Sequence, residues 1–117
     1  MDMKENVVKD KSFAFAVRII NLYKILMQEK KEYVMSKQLL RSGTSVGANI
    51  EEAIGGISKK DFRAKMSIAY KEIRETTYWL RLLQATDYLE KQEFDSFLND
   101  ADELGKLLYT IIKSSKQ

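Results

Sequence analysis

The chain has 117 residues and a mass of 13.6 kDa, which is room for one domain and not for two. Cysteine and histidine are both absent, which excludes disulfides, thiolate or imidazole metal sites, and catalysis by a Cys or Ser–His nucleophile. Proline is absent too, although average usage of about 5% would supply roughly six. Because few turns are obligatory, long helices are favoured. The net charge of +3 and the pI near 9 weakly favour binding to anionic partners.

The beginning of the chain carries no targeting pattern. Residues 1–11 are polar and charged, and they lack the apolar core and cleavage site of a secretory signal. No apolar run approaches the roughly 18 residues that a membrane span needs. We therefore expect a cytoplasmic protein that does not contact membranes.

Four segments show helical periodicity, at about residues 12–29, 35–54, 58–85 and 91–114. The first segment carries two adjacent apolar rows that cover about 160° of the helix wheel, wider than the roughly 100° that one core contact requires. We expect one row to face the core of its own subunit and part of the other to contact a neighbouring subunit. The two rows are Phe13, Ala16, Ile20, Tyr23 and Met27, and Phe15, Ile19, Leu22 and Leu26.

The second segment combines an apolar row with two glycines. Ser36 is the predicted N-terminal cap, and Gly55-Gly56 is predicted to end the helix in a left-handed conformation. Gly43 and Gly47 match the G-x-S-x-G pattern of a hydrolase nucleophile elbow, but that motif requires a preceding strand and a histidine. The spacing instead predicts close approach of a neighbouring helix. The apolar row is Leu39, Val46, Ile50 and Ala53.

The third and fourth segments repeat apolar residues at intervals of three and four, as in a helical bundle. Ser58 and Asp61 form a shortened capping box at the start of the third. Its row is Phe62, Met66, Ala69, Ile73, Thr76, Leu80 and Leu83, and that of the fourth is Phe94, Leu98, Ala101, Leu104 or Gly105, Leu108, and Ile111 or Ile112. Four amphipathic helices with short connections predict an all-α, antiparallel up-down four-helix bundle, one domain over residues 1–117.

Polar residues form another row on the second helix, beside its apolar row. The row is Arg41, Ser45, Asn49 and Glu52. Glu72 and Glu75 flank the heptad row of the third helix, where either can form a charge-assisted pair with Arg41. We interpret the six residues as a structural polar network. The alternatives are a carboxylate site that binds a ligand or metal, and side chains that are simply solvated. Di-iron bundles use Glu-x-x-His pairs, however, and this chain has no histidine. If the network is buried, truncating Arg41 or Asn49 should cost about 3–5 kcal/mol.

One outward side of the third helix is purely basic, with tyrosines interleaved. Its members lie within about 100° of the helix wheel and extend over about 30 Å. They are Lys60, Arg63, Tyr70, Lys71, Arg74, Tyr78 and Arg81, and we call them the basic face. Phosphates are attracted to such a face, and tyrosine stacks on unpaired bases, so nucleic-acid binding is one hypothesis. The alternative is an ordinary solvated surface or a contact within an oligomer.

Residues 39–53, 58–62 and 71–80 resemble one known family. The pattern Arg-Ser-x-x-Ser-x-x-Ala-Asn-Ile-x-Glu-Ala, which begins at Arg41, is similar to that of bacterial proteins encoded in intervening sequences of 23S ribosomal RNA genes. The polar network coincides with the family's signature positions, although Gly43 stands where alanine is more common. The resemblance implies a homo-oligomer, commonly a pentamer, without known enzymatic activity. The family is also similar to the accessory variability protein of diversity-generating retroelements, a basic pentamer thought to bind nucleic acid.

These observations predict a non-enzymatic protein that self-associates, with structured RNA or DNA as a candidate partner of the basic face. No catalytic residue, metal ligand or cofactor site is predicted. The alternative function is a scaffold that recruits a protein partner and does not bind nucleic acid. Salt dependence distinguishes the two, because binding to phosphates weakens steeply as salt rises.

Overall fold

The computed structural model describes residues 3–115, and these form four α-helices. The helices are α1 (Met3–Gln28), α2 (Met35–Ile54), α3 (Lys59–Ala85) and α4 (Lys91–Ser114). Residues 1–2 and 116–117, which the single-domain prediction includes, lie outside the described residues. The predicted bounds of α2, α3 and α4 agree with the structure to within one residue. The predicted start of α1 was wrong, because this helix begins at Met3 instead of residue 12.

The early start of α1 has a packing reason. Val8 and Ser12 are buried, and they continue the row of Phe15 and Ile19 towards the N-terminus at the same four-three spacing. The pattern is hard to recognise in the sequence because Ser12 is polar. Helices α1 and α2 approach closely at this point, since a Cβ built on Gly47 of α2 would lie only 3.3 Å from the Ser12 Oγ.

Each helix packs on two neighbours, in the order α1, α2, α3, α4 and back to α1. Contacts across each pair run in opposite chain directions. Arg63 near the start of α3, for example, bonds Ser115 just beyond α4, whereas Tyr70 further along packs on Tyr109. The described residues measure 46 × 21 × 18 Å. The predicted antiparallel up-down four-helix bundle is confirmed.

The buried sides of the four helices meet in one core, and three residues predicted to lie in it, Phe62 of α3 and Phe94 and Leu98 of α4, are only half-buried. On α4 the buried aromatic residue is instead Phe97. On α1 the row from Phe15 to Leu26 is buried, as expected for the row that faces the core. The other row is only partly covered by the rest of the chain, with Phe13 67% and Ile20 37% exposed.

Two predicted helix ends differ in their chemistry. The free backbone N–H groups at the start of α2 donate to the carboxylate of Glu32, with Ser36 N at 2.7 Å, and Ser36 Oγ itself donates to the Glu32 carbonyl. The predicted cap at Ser36 is thus replaced by a buried acid, which suits the positive end of the helix dipole. Gly55 has a φ of −82° and is not left-handed. Gly56 is not left-handed either. A Cβ there would lie 3.0 Å from the Ala53 carbonyl oxygen, which is tight packing against backbone and favours a residue without a side chain.

Candidate nucleic-acid interface

Arg41 on α2 joins two carboxylates of α3. Its Nη1 donates to Glu72 Oε2 at 3.1 Å, and its Nη2 donates to Glu75 Oε2. Trp79 Nε1 donates to the same Glu75 oxygen at 3.0 Å. The spacing of the two acids on α3 therefore matches the two ends of one guanidinium, which links α2 to α3 at this point.

The pKa values of Glu75 and Arg41 shift in the directions that these hydrogen bonds and charges require. The pKa of Glu75 lies below its ordinary value, first because the Trp79 indole donates to the carboxylate and then because Arg41 does so and adds its positive charge. The pKa of Arg41 is raised above its ordinary value, chiefly by the hydrogen bond to Glu75. Both groups are therefore ionised at neutral pH.

The remaining members of the predicted network do not join this cluster. Ser45 Oγ donates to the Arg41 carbonyl at 2.6 Å, and Asn49 Nδ2 donates to the Ser45 carbonyl at 2.9 Å, so both bonds stay within α2. Glu52 accepts from Lys65 Nζ at 3.1 Å, further along the α2/α3 interface. The structure thus places three of the six residues, Arg41, Glu72 and Glu75, in one cluster.

The cluster is more exposed than a buried network would be. The side chains of Arg41, Glu72 and Glu75 retain 50%, 17% and 36% of their accessible surface. Solvent screens such a pair, so the cost expected for truncating Arg41 falls from about 3–5 kcal/mol to about 1 kcal/mol or less. Within residues 3–115 no group of three or more acids, histidines or cysteines is arranged to hold a metal ion.

The basic face divides into two parts in the structure. Lys60, Lys71 and Tyr78 are exposed on the outer surface of α3, and the Tyr78 ring also touches the edge of Trp79. Arg63, Tyr70, Arg74 and Arg81 lie nearer to α4. Arg63 Nη1 donates to the Ser115 carbonyl at 3.2 Å, and Tyr70 packs against Tyr109 with the ring centroids 6.2 Å apart.

The cations of the basic face lack acidic partners. None of its five arginines and lysines lies within 4.0 Å of a carboxylate belonging to the described residues. On the opposite flank of α3, by contrast, Glu72 and Glu75 pair with Arg41, and Lys65 pairs with Glu52. Charge is therefore divided across the helix, with ion pairs neutralising the α2 side and free positive charge remaining on the α4 side.

Helix α4 extends the positive surface of α3 with residues that were not predicted from the sequence. Lys106 and Tyr109 line a groove together with Tyr70 and Arg74, and Lys113 Nζ lies 5.6 Å from the centre of the Tyr109 ring. The spacing of Gly105 and Tyr109 placed both on one side of α4, but nothing in a single sequence indicated that this side would adjoin the basic face. A second depression, farther along α3, is lined by Tyr78, Arg81 and other residues.

No helix formed by residues 3–115 combines the length and the apolar character that a membrane span requires.

Comparison with known proteins identifies relatives but no activity. The family described as 23S rRNA-intervening sequence protein matches residues 4–110. A crystal structure at 1.70 Å resolution of a protein of unknown function, from the S23 ribosomal protein family of Bacteroides thetaiotaomicron, shares 59% sequence identity and a TM-score of 0.94. The alignment covers 95% of this chain and 99% of that one. No curated protein matches the chain. This chain therefore belongs to the 23S rRNA-intervening sequence protein family, as its sequence pattern predicted.

Proposed function

We propose that this protein is a non-enzymatic, self-associating bundle that binds structured RNA or DNA through the basic face of α3. The observation that carries the proposal is the row of cations without acidic partners among the described residues. Phosphate contacts provide most of the affinity in nucleic-acid binding, and they require positive charge that is not already neutralised. The tyrosines between the cations add flat surfaces on which bases can stack.

Self-association rests on the outward row of α1. Phe13, Val17 and Ile20 follow one another at intervals of four and three, and they are 67%, 44% and 37% exposed. An apolar row of this kind on a small protein is typical of an interaction surface. A second copy of the chain is the simplest partner, in agreement with the oligomer that the family resemblance implies.

The nucleic-acid part is tested by retention on an immobilised RNA stem–loop over a salt gradient. Replacing Lys60, Lys71, Arg74 and Arg81 by glutamine should reduce the slope of log affinity against log salt by about three. The matched control carries glutamine at Lys4, Lys30, Lys31 and Lys37, which removes the same charge from other surfaces. Equal loss in both variants would show a general charge effect and overturn the role of the basic face.

The assembly part is tested by sedimentation of the wild type and of a Phe13→Ser/Ile20→Ser variant. We expect the wild type to sediment as an oligomer and the variant as a 13.6 kDa monomer. Ile57→Ser is the control, since Ile57 is 99% exposed outside the helices. A monomeric wild type would contradict self-association. Combined with failure to bind RNA, it would favour the alternative, a scaffold that uses α1 to recruit a different protein.

A further inference from the structure

A groove of about 480 Å³ lies between α3 and α4. Its floor is apolar, with Ile73 of α3 and Ala101 of α4 almost fully buried. The groove is open because Gly105 has no side chain, and a Cβ built there would meet no atom within 4 Å. Its volume falls within the roughly 300–1,000 Å³ that is usual for small-molecule sites.

Aromatic rings form one wall of the groove. Tyr70 and Tyr109 pack against each other, with ring centroids 6.2 Å apart and planes inclined by 44°. Tyr109 is still 52% exposed. A half-exposed ring that packs on a second ring offers a stacking surface, and stacking on such rings is tolerant of base identity.

The charged groups of the groove have no partners among the described residues. Arg74 and Lys106 lie within 4.0 Å of no described carboxylate, and the carboxylate of Asp102 is likewise unpaired within that distance. The hydroxyls of Thr77 and Thr110 donate within their own helices, at 3.1 and 3.0 Å. The polar groups that remain for a ligand are therefore two cations, one carboxylate and the tyrosine hydroxyls.

We infer that this groove receives one unpaired base of a structured nucleic acid, an inference that rests on the function proposed above. An apolar floor with Asp102 beside it disfavours a phosphate, whereas a flat base can cover the floor and stack on Tyr109. The carboxylate can accept a hydrogen bond from an exocyclic amino group of the base. Arg74 and Lys106 then bind the phosphates on either side, so α3 and α4 together form the site.

The test compares an RNA stem–loop having an unpaired loop with a blunt duplex of equal phosphate number, both fluorescently labelled, at constant salt. Gly105→Leu fills the groove without changing the charge, and Gly105→Ala is the matched control because its Cβ fits. Tyr109→Ala removes the stacking surface, and Tyr109→Phe retains it. We expect Gly105→Leu and Tyr109→Ala to weaken stem–loop binding about 5- to 100-fold and to leave duplex binding within about twofold. Gly105→Ala and Tyr109→Phe should bind the stem–loop like the wild type.

Three results would overturn the inference. If Gly105→Leu and Tyr109→Ala both bind the stem–loop like the wild type, the groove is not the base site, although the proposed nucleic-acid function stands. If they weaken stem–loop and duplex binding equally, the groove contributes no recognition of an unpaired base. If the wild type binds neither RNA, the proposed function itself fails.

Discussion

The α1/α2 and α3/α4 interfaces both contain helical glycines, yet they are built in opposite ways. At α1/α2, a Cβ on Gly43 would lie 2.8 Å from the γ carbons of Ile19. At α3/α4, a Cβ on Gly105 would meet nothing within 4 Å. The first glycine lets two helices approach closely, whereas the second leaves space between them. The comparison shows that a glycine in a helix has opposite consequences according to what faces it.

The largest expected effect is loss of the side chain that fills the closed interface. Ile19→Ala should lower the free energy of unfolding by about 2–5 kcal/mol, because Ile19 is fully buried and a cavity would remain. Urea unfolding at fixed protein concentration measures the change. Ile25→Ala is the control, since Ile25 is 38% exposed and lies outside the row proposed for self-association, and it should cost much less. Equal costs at the two positions would mean that α1 is rotated relative to this description.

Gly43→Ala should destabilise the protein by about 1 kcal/mol net. Overpacking against Ile19 costs about 1–3 kcal/mol, and the gain in helix propensity offsets about 1 kcal/mol of it. A double-mutant cycle with Ile19→Ala isolates the clash, because the truncated side chain leaves room for the new methyl group. We expect Gly43→Ala to be better tolerated in that background than in the wild type. A stabilising Gly43→Ala in the wild type would show that the interface is not closed.

Gly105→Ala should have the opposite sign and stabilise the protein by about 0.5–1 kcal/mol. The new methyl group enters open space, and the unfolded chain loses the extra freedom of glycine. Thermal unfolding at matched concentration measures the gain. Destabilisation would mean that the groove has no room for a methyl group at Gly105, and it would remove the contrast with Gly43.

The smallest expected effect is the pH dependence of stability that arises from the α2/α3 interface, which lies between the α1/α2 and α3/α4 interfaces. The pKa of Glu75 is lower in the folded state than its ordinary value. The ionised carboxylate therefore stabilises the fold at pH values above its ordinary pKa, and this stabilisation is lost as the pH falls through the lowered pKa. Glu75→Gln should therefore lower the free energy of unfolding by a few tenths of a kcal/mol at neutral pH. The variant should also lose less stability than the wild type as the pH is lowered. Unfolding between pH 3 and 7 tests this. If the loss of stability at low pH is the same in the wild type and the variant, other carboxylates are responsible for it.

Much of the fold could be predicted because amphipathic helices carry their pattern locally. The heptad row of α3 was right at Met66, Ala69 and later positions, and the ends of α2 to α4 required only short-range signals. The start of α1 and the cap at Glu32 could not be predicted in this way. Ser12 is buried where α1 lies close to Gly47 of another helix, α2. Glu32 is buried because the chain turns back over the start of α2.

The candidate site likewise has features that could be predicted from the sequence and features that could not. Spacing on one helix determined that the basic face is free of acids, and it placed Arg41, Glu72 and Glu75 beside the apolar rows of their own helices. Only the tertiary structure decided how exposed this cluster is, and only packing brought Lys106 and Tyr109 of α4 beside Arg74. Periodicity specifies which side of a helix is apolar or charged, because that depends on neighbours along the chain. The depth of burial and the space between two helices depend on side chains from distant parts of the chain, and these meet only when the bundle forms.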